Sequence, residues 1–347
     1  MNKLSFLFLF TSTLLFAQNK EEAIKKIDAG IELHDEGKFQ EALSKYDEAL
    51  KLDENNLFAL SEKAVTLEAS KKYDEAIEIS KFVLKLYPDE DNRTVYVVYG
   101  NSLDHTNQKD LSLKIYDEGL KKYPDYYQLY YNKAITLYSN KEPEKAEIAF
   151  EEATKLNPNH TSSFNALGVL NNSNRIASIL ASSRYLVLDN KSSRAKANLQ
   201  SLLSLMNKGV TKTGEKNISL VLDPTILENA GKKKNRQNDF SAVDMVVSMS
   251  AALAFDEKNK NNTEVQNFIN QFESMCKVMS ETRKNKKGYF WEFLAPYFIE
   301  MEKNKLVEPF AYYIFNPTQS EDVLKYQKEN SAKIEKFLAW NKVYTWN

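Results

Sequence analysis

The chain has 347 residues, with 47 basic and 48 acidic side chains and a formal net charge of −1. This balance argues against a nucleic-acid partner, which usually requires a strongly basic face. A single cysteine, Cys276, excludes an internal disulfide. The length is sufficient for two domains.

The N-terminus predicts a secretory signal peptide over residues 1–17. A short basic start, Met1–Lys3, precedes the apolar stretch Leu4–Phe16, and Ala17 supplies a small residue at the cleavage point. We therefore expect an exported, periplasmic protein, the alternatives being a secreted protein or one peripheral to the envelope. An uncut N-terminal anchor is the competing interpretation. After cleavage no remaining segment is apolar enough to span a membrane.

Four copies of one 34-residue pattern follow, between Ala23 and His160. Small residues recur at two offsets where paired helices must approach closely, and large apolar residues lie between them at helical spacing. The small residues are Ala42, Ala76 and Ala146 at the first offset, and Ala49, Gly119 and Ala153 at the second. A proline after the second helix ends three of the copies, and Asp91 and Asn92 form a two-residue insertion.

This pattern resembles the tetratricopeptide repeat family. The resemblance implies an all-α, right-handed solenoid in which the first helix of each pair lines a concave surface. A degenerate fifth copy with a capping helix is predicted over residues 161–206, since the terminal units of solenoids are commonly atypical.

In residues 207–239, Ile218, Leu220 and Leu222 alternate with more polar positions. This alternation predicts a linker with one short strand. The polar run Lys232–Arg236 in this linker is interpreted as a solvated surface. A smaller helical C-terminal domain of no recognised family is predicted for residues 240–347. Its helices are expected to start at the capping pairs Ser241–Asp244 and Thr318–Glu321.

No residue pattern in the chain indicates catalysis, a metal or a cofactor. The three histidines, His34, His105 and His160, lie in different repeats and lack ligand spacing. Cys276 lies on an apolar helical stripe, where it is expected to pack. We therefore predict a non-catalytic protein without a cofactor.

The candidate binding surface is the groove formed by the first helices. The resemblance places the following residues there: Phe58, Val65, Val97, Asn101, Asp104, Tyr131, Asn132, Ile135, Tyr138 and Asn165. Glu68 occupies a further groove offset. Family members that grip a C-terminal carboxylate use two asparagines, which Asn101 and Asn132 match, together with basic residues. Val97, Ser162 and Ala166 stand at the basic offsets here, so this carboxylate function is not carried over.

The functional prediction is a scaffold or adaptor of the cell envelope that binds a peptide or protein partner in this groove. The competing interpretation of Tyr131 and Tyr138 is packing against the chain's own helices. One alternative assigns the C-terminal domain to an enzyme or small-ligand protein, with the aromatic segments Tyr289–Phe298 and Phe310–Phe315 lining a pocket. Another is a self-assembling structural oligomer.

Overall fold

The computed structural model describes residues 3–214, 218–221 and 237–346. Within them the protein is all-α apart from one small hairpin, which confirms the predicted fold class. The chain divides into two compact units, residues 1–149 and 150–347, and each is described by itself. The division falls within one helix, and the predicted domain boundaries at 160, 206 and 239 stay a prediction.

The first unit consists of helices in tandem pairs. Their bounds are α1 (Lys3–Asp35), α2 (Phe39–Leu52), α3 (Leu57–Ala69), α4 (Tyr73–Leu86), α5 (Arg93–His105), α6 (Lys109–Lys122), α7 (Tyr127–Ser139) and the start of α8 (Pro143–Leu156). The first helices of consecutive pairs, α1, α3, α5 and α7, contact one another side by side and form one layer. Helices α1, α3 and α5 also pack against their own second helices, and α7 packs against α6 of the preceding pair.

The small-residue seams of the pairs are buried as the spacing predicts, with Ala42, Ala76 and Ala146 fully enclosed. Size complementarity explains a further regularity. Gly30 lies against the ring of Tyr46, and a methyl group there would come within 2.5 Å of that ring. Gly100 meets Tyr116 in the same way. In the second pair the residue at the tyrosine offset is Ser80, and the glycine is replaced by Ala64.

A left-handed residue joins the two helices of each pair. Gly37, Lys71, Asn107 and Lys141 occupy the same offset, and all have φ between 62° and 76°. Glycine adopts this conformation freely, whereas a residue with a Cβ does so at a cost of about 1 kcal/mol. Because three of the four are not glycine, the packing of the pair must impose the turn.

The second unit contains the end of α8, nine further α-helices and a hairpin among its described residues. They are α9 (Thr161–Leu170), α10 (Arg175–Leu188), α11 (Ser193–Met206), β1 (Val210–Lys212), β2 (Ile218–Leu220), α12 (Ser241–Leu253), α13 (Glu264–Thr282), α14 (Ala295–Lys303), α15 (Val307–Ile314), α16 (Glu321–Glu329) and α17 (Ser331–Val343). The two strands are antiparallel, with Val210 opposite Leu220. The run Lys232–Arg236 lies outside the described residues.

Helix α10 is the centre of this unit. Every residue from Arg175 to Val187 is buried, which is unusual for a helix of a repeat pair. It contacts α9, α11, α12, α15 and the turn that precedes α14. The degenerate fifth copy therefore supplies the core helix of the second unit.

Two arginines on α10 tie the unit together. Arg175 donates to the carbonyl oxygens of Leu205 and Met206 at the end of α11, at 2.6 and 2.8 Å, and pairs with Asp244 of α12 at 2.7 Å. Arg184, 1% exposed, donates to the carbonyl oxygen of Pro158 at 2.9 Å and to Asn341 of α17 at 2.6 Å. These bonds use most of the guanidinium donors, so both cations serve the fold.

Both predicted capping pairs are wrong. The residue before α12 is Phe240, which offers no side-chain cap, and Ser241 donates instead to Asp239 at 2.7 Å. Asp244 is already engaged by Arg175. The residue before α16 is Ser320 and not Thr318, and it offers no side-chain cap. The chain beyond it forms two helices, α16 and α17, separated at Asn330.

A π-helical turn, Phe290–Leu294, leads directly into α14. Pro296 lacks the N–H that would bond one turn back, which favours the wider turn before it. No helix among the described residues is both long and apolar enough to traverse a bilayer.

Candidate functional site

The predicted groove residues of the first unit all lie in its first-helix layer. Phe58 and Val65 are on α3, Val97, Asn101 and Asp104 on α5, and Tyr131, Asn132, Ile135 and Tyr138 on α7. Asn165 lies on α9, in the second unit. Because α5 contacts both α3 and α7, the nine residues of the first unit share one continuous helical layer.

Apolar side chains on this layer remain in contact with solvent. Phe58 is 50% exposed, Ile135 41% and Tyr138 54%. Val65, Val97 and Tyr131 are half-buried between them. Isolated exposed apolar residues are ordinary, but several of them on one layer of helices are a feature of binding surfaces.

A chain of hydrogen bonds crosses the polar centre of the layer. The Tyr116 hydroxyl of α6 donates to Asn101 Oδ1 at 2.5 Å, and Asn101 Nδ2 donates to Glu68 Oε1 at 2.8 Å. The tyrosine thus fixes which way the amide points. The repeat pattern alone did not single out Tyr116 as a residue of the binding surface, because it lies on a second helix, α6.

Burial raises the pKa of Glu68 to about 7, and the hydrogen bond from Asn101 opposes this only in part. The pKa of the Tyr116 hydroxyl is raised by burial as well. A carboxylate held away from water without a cation is costly when ionised, so Glu68 titrates close to neutral pH.

Asp104 lies one helical turn beyond Asn101 on the same face of α5. Its Oδ1 atom is buried and has no hydrogen-bond partner among the described residues. Asn132, the other asparagine of the groove, donates to the backbone carbonyl of Gln128 on its own helix at 2.8 Å. The two asparagines therefore differ: one organises the acidic centre, and the other bonds its own helix backbone.

The histidines are held separately. His34 bonds Thr66 at 2.8 Å, the ring of His105 stacks on Tyr73 at 4.4 Å, and His160 bonds Ser163 at 2.8 Å. Among the residues that the structure describes, no group of three metal-ligating side chains comes together. Cys276 is buried, and burial raises the pKa of its thiol well above the ordinary value.

The aromatic segments of the C-terminal region form a filled core. Tyr297, Phe298 and Phe310 are fully buried. Their rings pack on one another and on Trp346, with the centroids of Phe298 and Phe310 6.1 Å apart and those of Tyr297 and Trp346 5.0 Å apart. These rings line no pocket, because they fill the space themselves. Tyr312 of the second segment does line a cavity of about 590 Å³, together with Glu273 and Glu308.

Comparison with known proteins supports the interpretation of the repeats. Residues 27–90 and 127–160 match family models of the tetratricopeptide repeat. A curated relative, protein STIP1 homolog of Dictyostelium discoideum, is 33% identical over 104 residues, covering 28% of this chain and 18% of that protein. The match thus spans less than a fifth of that relative's length.

Two solved structures are similar at low sequence identity. One is pilF of Pseudomonas aeruginosa, with 17% identity, 72% of this chain, 98% of that chain and a TM-score of 0.48. The other is a thermophilic TPR protein of Thermus thermophilus, with 19% identity, 52% of this chain, 98% of that chain and a TM-score of 0.45.

The family models leave residues 91–126 unmatched. However, α5 and α6 in this segment form a helix pair with a contact between Gly100 and Tyr116, like the contact between Gly30 and Tyr46 in α1 and α2. Residues 27–90 and 127–160 are thus tetratricopeptide repeats, and α5 and α6 between them resemble these repeats.

Proposed function

We propose that this protein is a non-catalytic scaffold of the cell envelope that holds a peptide segment of a protein partner on the first-helix layer of its repeats. The observation that carries the proposal is the presence of exposed apolar side chains on this one layer, Phe58 on α3 and Ile135 and Tyr138 on α7. An extended segment or a helix lying across these helices would bury its own apolar side chains against them.

The polar groups of the layer would supply orientation. Asn101 is fixed by Tyr116 and Glu68, so its position does not depend on a ligand. A surface with preset side chains loses little conformational entropy on binding, which favours affinity.

The proposal is tested with a displayed library of random 16-residue peptides. The full-length protein is expected to enrich a family of peptides, and Tyr131→Ala/Tyr138→Ala should reduce the binding of the enriched peptides at least tenfold. This is because aromatic anchors commonly carry most of a binding energy. The measurement is fluorescence anisotropy with the enriched peptides, at constant helicity by circular dichroism.

Phe82→Ala provides the matched control. Phe82 is an aromatic residue on the second helix α4 and is 44% exposed, comparable to Tyr138. Its removal should leave peptide binding within twofold. Equal losses in the control and in the tyrosine variant, or no enrichment at all, would contradict a docking role for the first-helix layer.

The envelope location is a separate part of the proposal and rests on the N-terminal sequence. A basic start, an apolar stretch and Ala17 are typical of a cleaved signal. We expect the mature protein to begin at Gln18 and to be released with the periplasmic fraction. N-terminal sequencing of protein recovered from that fraction tests this, and an intact Met1 in a membrane pellet would contradict it.

One candidate for a small-ligand site in the second unit lies outside the aromatic core. A cavity of about 360 Å³ is lined by Leu203, Phe255, Phe268 and the buried amide of Gln271. Gln271 donates to Asn207 at 3.3 Å, while its Oε1 atom has no partner among the described residues. However, Gln271 is buried as a whole residue, unlike the half-buried Asp104 of the first unit, so a ligand would reach its oxygen only after the side chain moved.

A further inference from the structure

We propose that the segment bound on the first-helix layer is basic, with a lysine or arginine directed at Glu68 and Asp104 and apolar residues on the side of α7. This inference rests on the proposed function and specifies the chemistry of the partner. The supporting observation is the charge distribution along the layer, which the repeat offsets make regular.

One row of residues runs across the layer at a single offset. Glu68 on α3, Asp104 on α5 and Tyr138 on α7 occupy equivalent positions in three consecutive repeats. A neighbouring row, one helical turn earlier, contains Val65, Asn101 and Ile135. A segment that crosses the helices therefore meets carboxylates over α3 and α5 and apolar side chains over α7.

The carboxylates of this row lack cations of their own. Glu68 accepts a hydrogen bond from Asn101 and forms no ion pair within the described part of the chain. Asp104 has a buried oxygen without a donor among the described residues. Glu62, also half-buried on α3, has a raised pKa because of burial, with His34 lowering it and Asp35 raising it further.

The lysines of the same helices are turned away to the second helices. Lys63 of α3 pairs with Asp47 of α2 at 2.7 Å, and Lys133 of α7 pairs with Asp117 of α6 at 2.5 Å. The first-helix layer is thus acidic at its centre although the whole chain is nearly neutral. An incoming cation would restore to Glu68 and Asp104 the electrostatic partner that the fold does not provide.

The shape of the surface suits a long cationic side chain. The aliphatic stem of a lysine or arginine packs on half-buried apolar groups such as Val65 and Val97, while its head reaches the carboxylates. Apolar neighbours two or three positions along an extended segment would then reach Ile135 and Tyr138. Electrostatic complementarity of this kind chiefly supplies orientation and partner selection.

The test uses the same displayed peptide library and reads the composition of what is enriched. Full-length wild-type protein should enrich peptides with lysine or arginine next to leucine, isoleucine or aromatic residues. Glu68→Gln/Asp104→Asn should lose the enrichment of basic residues while retaining that of apolar residues. For the most enriched basic peptide, the affinity of this double variant should fall at least tenfold.

Glu75→Gln/Glu78→Gln is the matched control. Both residues are exposed acids on the second helix α4, with side chains 61% and 79% exposed, and their substitution removes the same number of acidic groups. The control should bind the basic peptide within twofold of wild type. Equal losses in the two double variants would show only a general charge effect and would overturn the assignment to Glu68 and Asp104.

Different outcomes of the peptide selection would overturn the basic-segment inference and the docking function. Enrichment of apolar peptides without basic residues, unaffected by Glu68→Gln/Asp104→Asn, would overturn this inference and leave the docking surface intact. No enrichment by the wild-type protein would overturn the docking function itself. Enrichment of acidic peptides would contradict the charge argument directly.

Discussion

The two units of this protein hold their helices together by different means. In the first unit the seams are made of small residues against tyrosines, as where Gly30 and Gly100 accept Tyr46 and Tyr116. In the second unit a fully buried helix, α10, is fixed by Arg175 and Arg184 through backbone carbonyls and amides. In the first unit the same local packing contact recurs along the chain, whereas the hydrogen bonds that hold the second unit join residues distant in sequence.

The first prediction tests the polar ties and has the largest expected effect. Arg175→Met removes the cation that binds the carbonyl oxygens of Leu205 and Met206 and the carboxylate of Asp244. The Asp244 carboxylate, which has little access to water, is then left unpaired. We expect the second unit to lose about 3–5 kcal/mol of unfolding free energy. Hydrogen exchange of α10–α12, followed by mass spectrometry, measures the loss within that unit.

An exposed arginine serves as the control for this change. Arg93 pairs with Asp91 on the surface, with both side chains roughly half exposed. Arg93→Met should lower the unfolding free energy far less than Arg175→Met does, because it removes only exposed contacts, the pair with Asp91 and those with the rings of Tyr123 and Tyr126. Similar effects at the two arginines would remove the distinction between the units.

The second prediction tests the periodic seam. Gly100→Ala places a methyl group against the fully buried ring of Tyr116, which has no free space to move into. Overpacking of this kind costs about 2–3 kcal/mol. Urea unfolding monitored by circular dichroism measures the change.

A double substitution makes this test specific. In the background of Tyr116→Ser, which reproduces the Ala64 and Ser80 pair of the second repeat, Gly100→Ala should cost almost nothing. A full cost in both backgrounds would mean that the glycine is required by the backbone and not by its neighbour.

The third prediction concerns Glu68 and is the smallest. Because burial raises its pKa from 4.5 to about 7, the folded state binds a proton that the unfolded state releases between these pH values. The unfolding free energy therefore falls as pH rises through this window, by an amount on the order of 2 kcal/mol. Glu68→Gln should be neutral at pH 4 and stabilising by that amount at pH 8.

The comparison of wild type and Glu68→Gln is made by urea unfolding at both pH values. Titrations elsewhere in the protein cancel in the difference between the two proteins. A stabilising effect of equal size at pH 4 and pH 8 would show that the gain comes from packing or hydrogen bonding and not from ionisation.

The repeat region was predictable because its packing is local and recurs. The spacing of Ala42, Ala76 and Ala146 alone identifies the seam, and the structure buries all three. The same offsets placed Asn101 and Asp104 on one face of α5. The shift in the pKa of Glu68 could not be read from sequence, since it depends on how completely neighbouring helices exclude water.

The second unit was predictable only in its helices and in the short strand β2. The apolar helical stripe that contains Cys276, from Val265 to Met279, does lie in α13 (Glu264–Thr282). Arginines, by contrast, are usually exposed, so no residue pattern marks Arg175 and Arg184 as core residues. The filled aromatic cluster was likewise ambiguous, since the same residue types line pockets and cores.

The bond between Arg184 and Asn341 joins residues 157 positions apart in the chain. On a ribosome, the helix that carries this arginine is synthesised long before its amide partner emerges from the exit tunnel. Contacts of such high sequence separation slow folding, whereas repeats that touch only their neighbours can assemble as they appear. The docking surface would therefore be complete early in translation. The second unit, by contrast, could fold fully only after almost the whole chain has been synthesised.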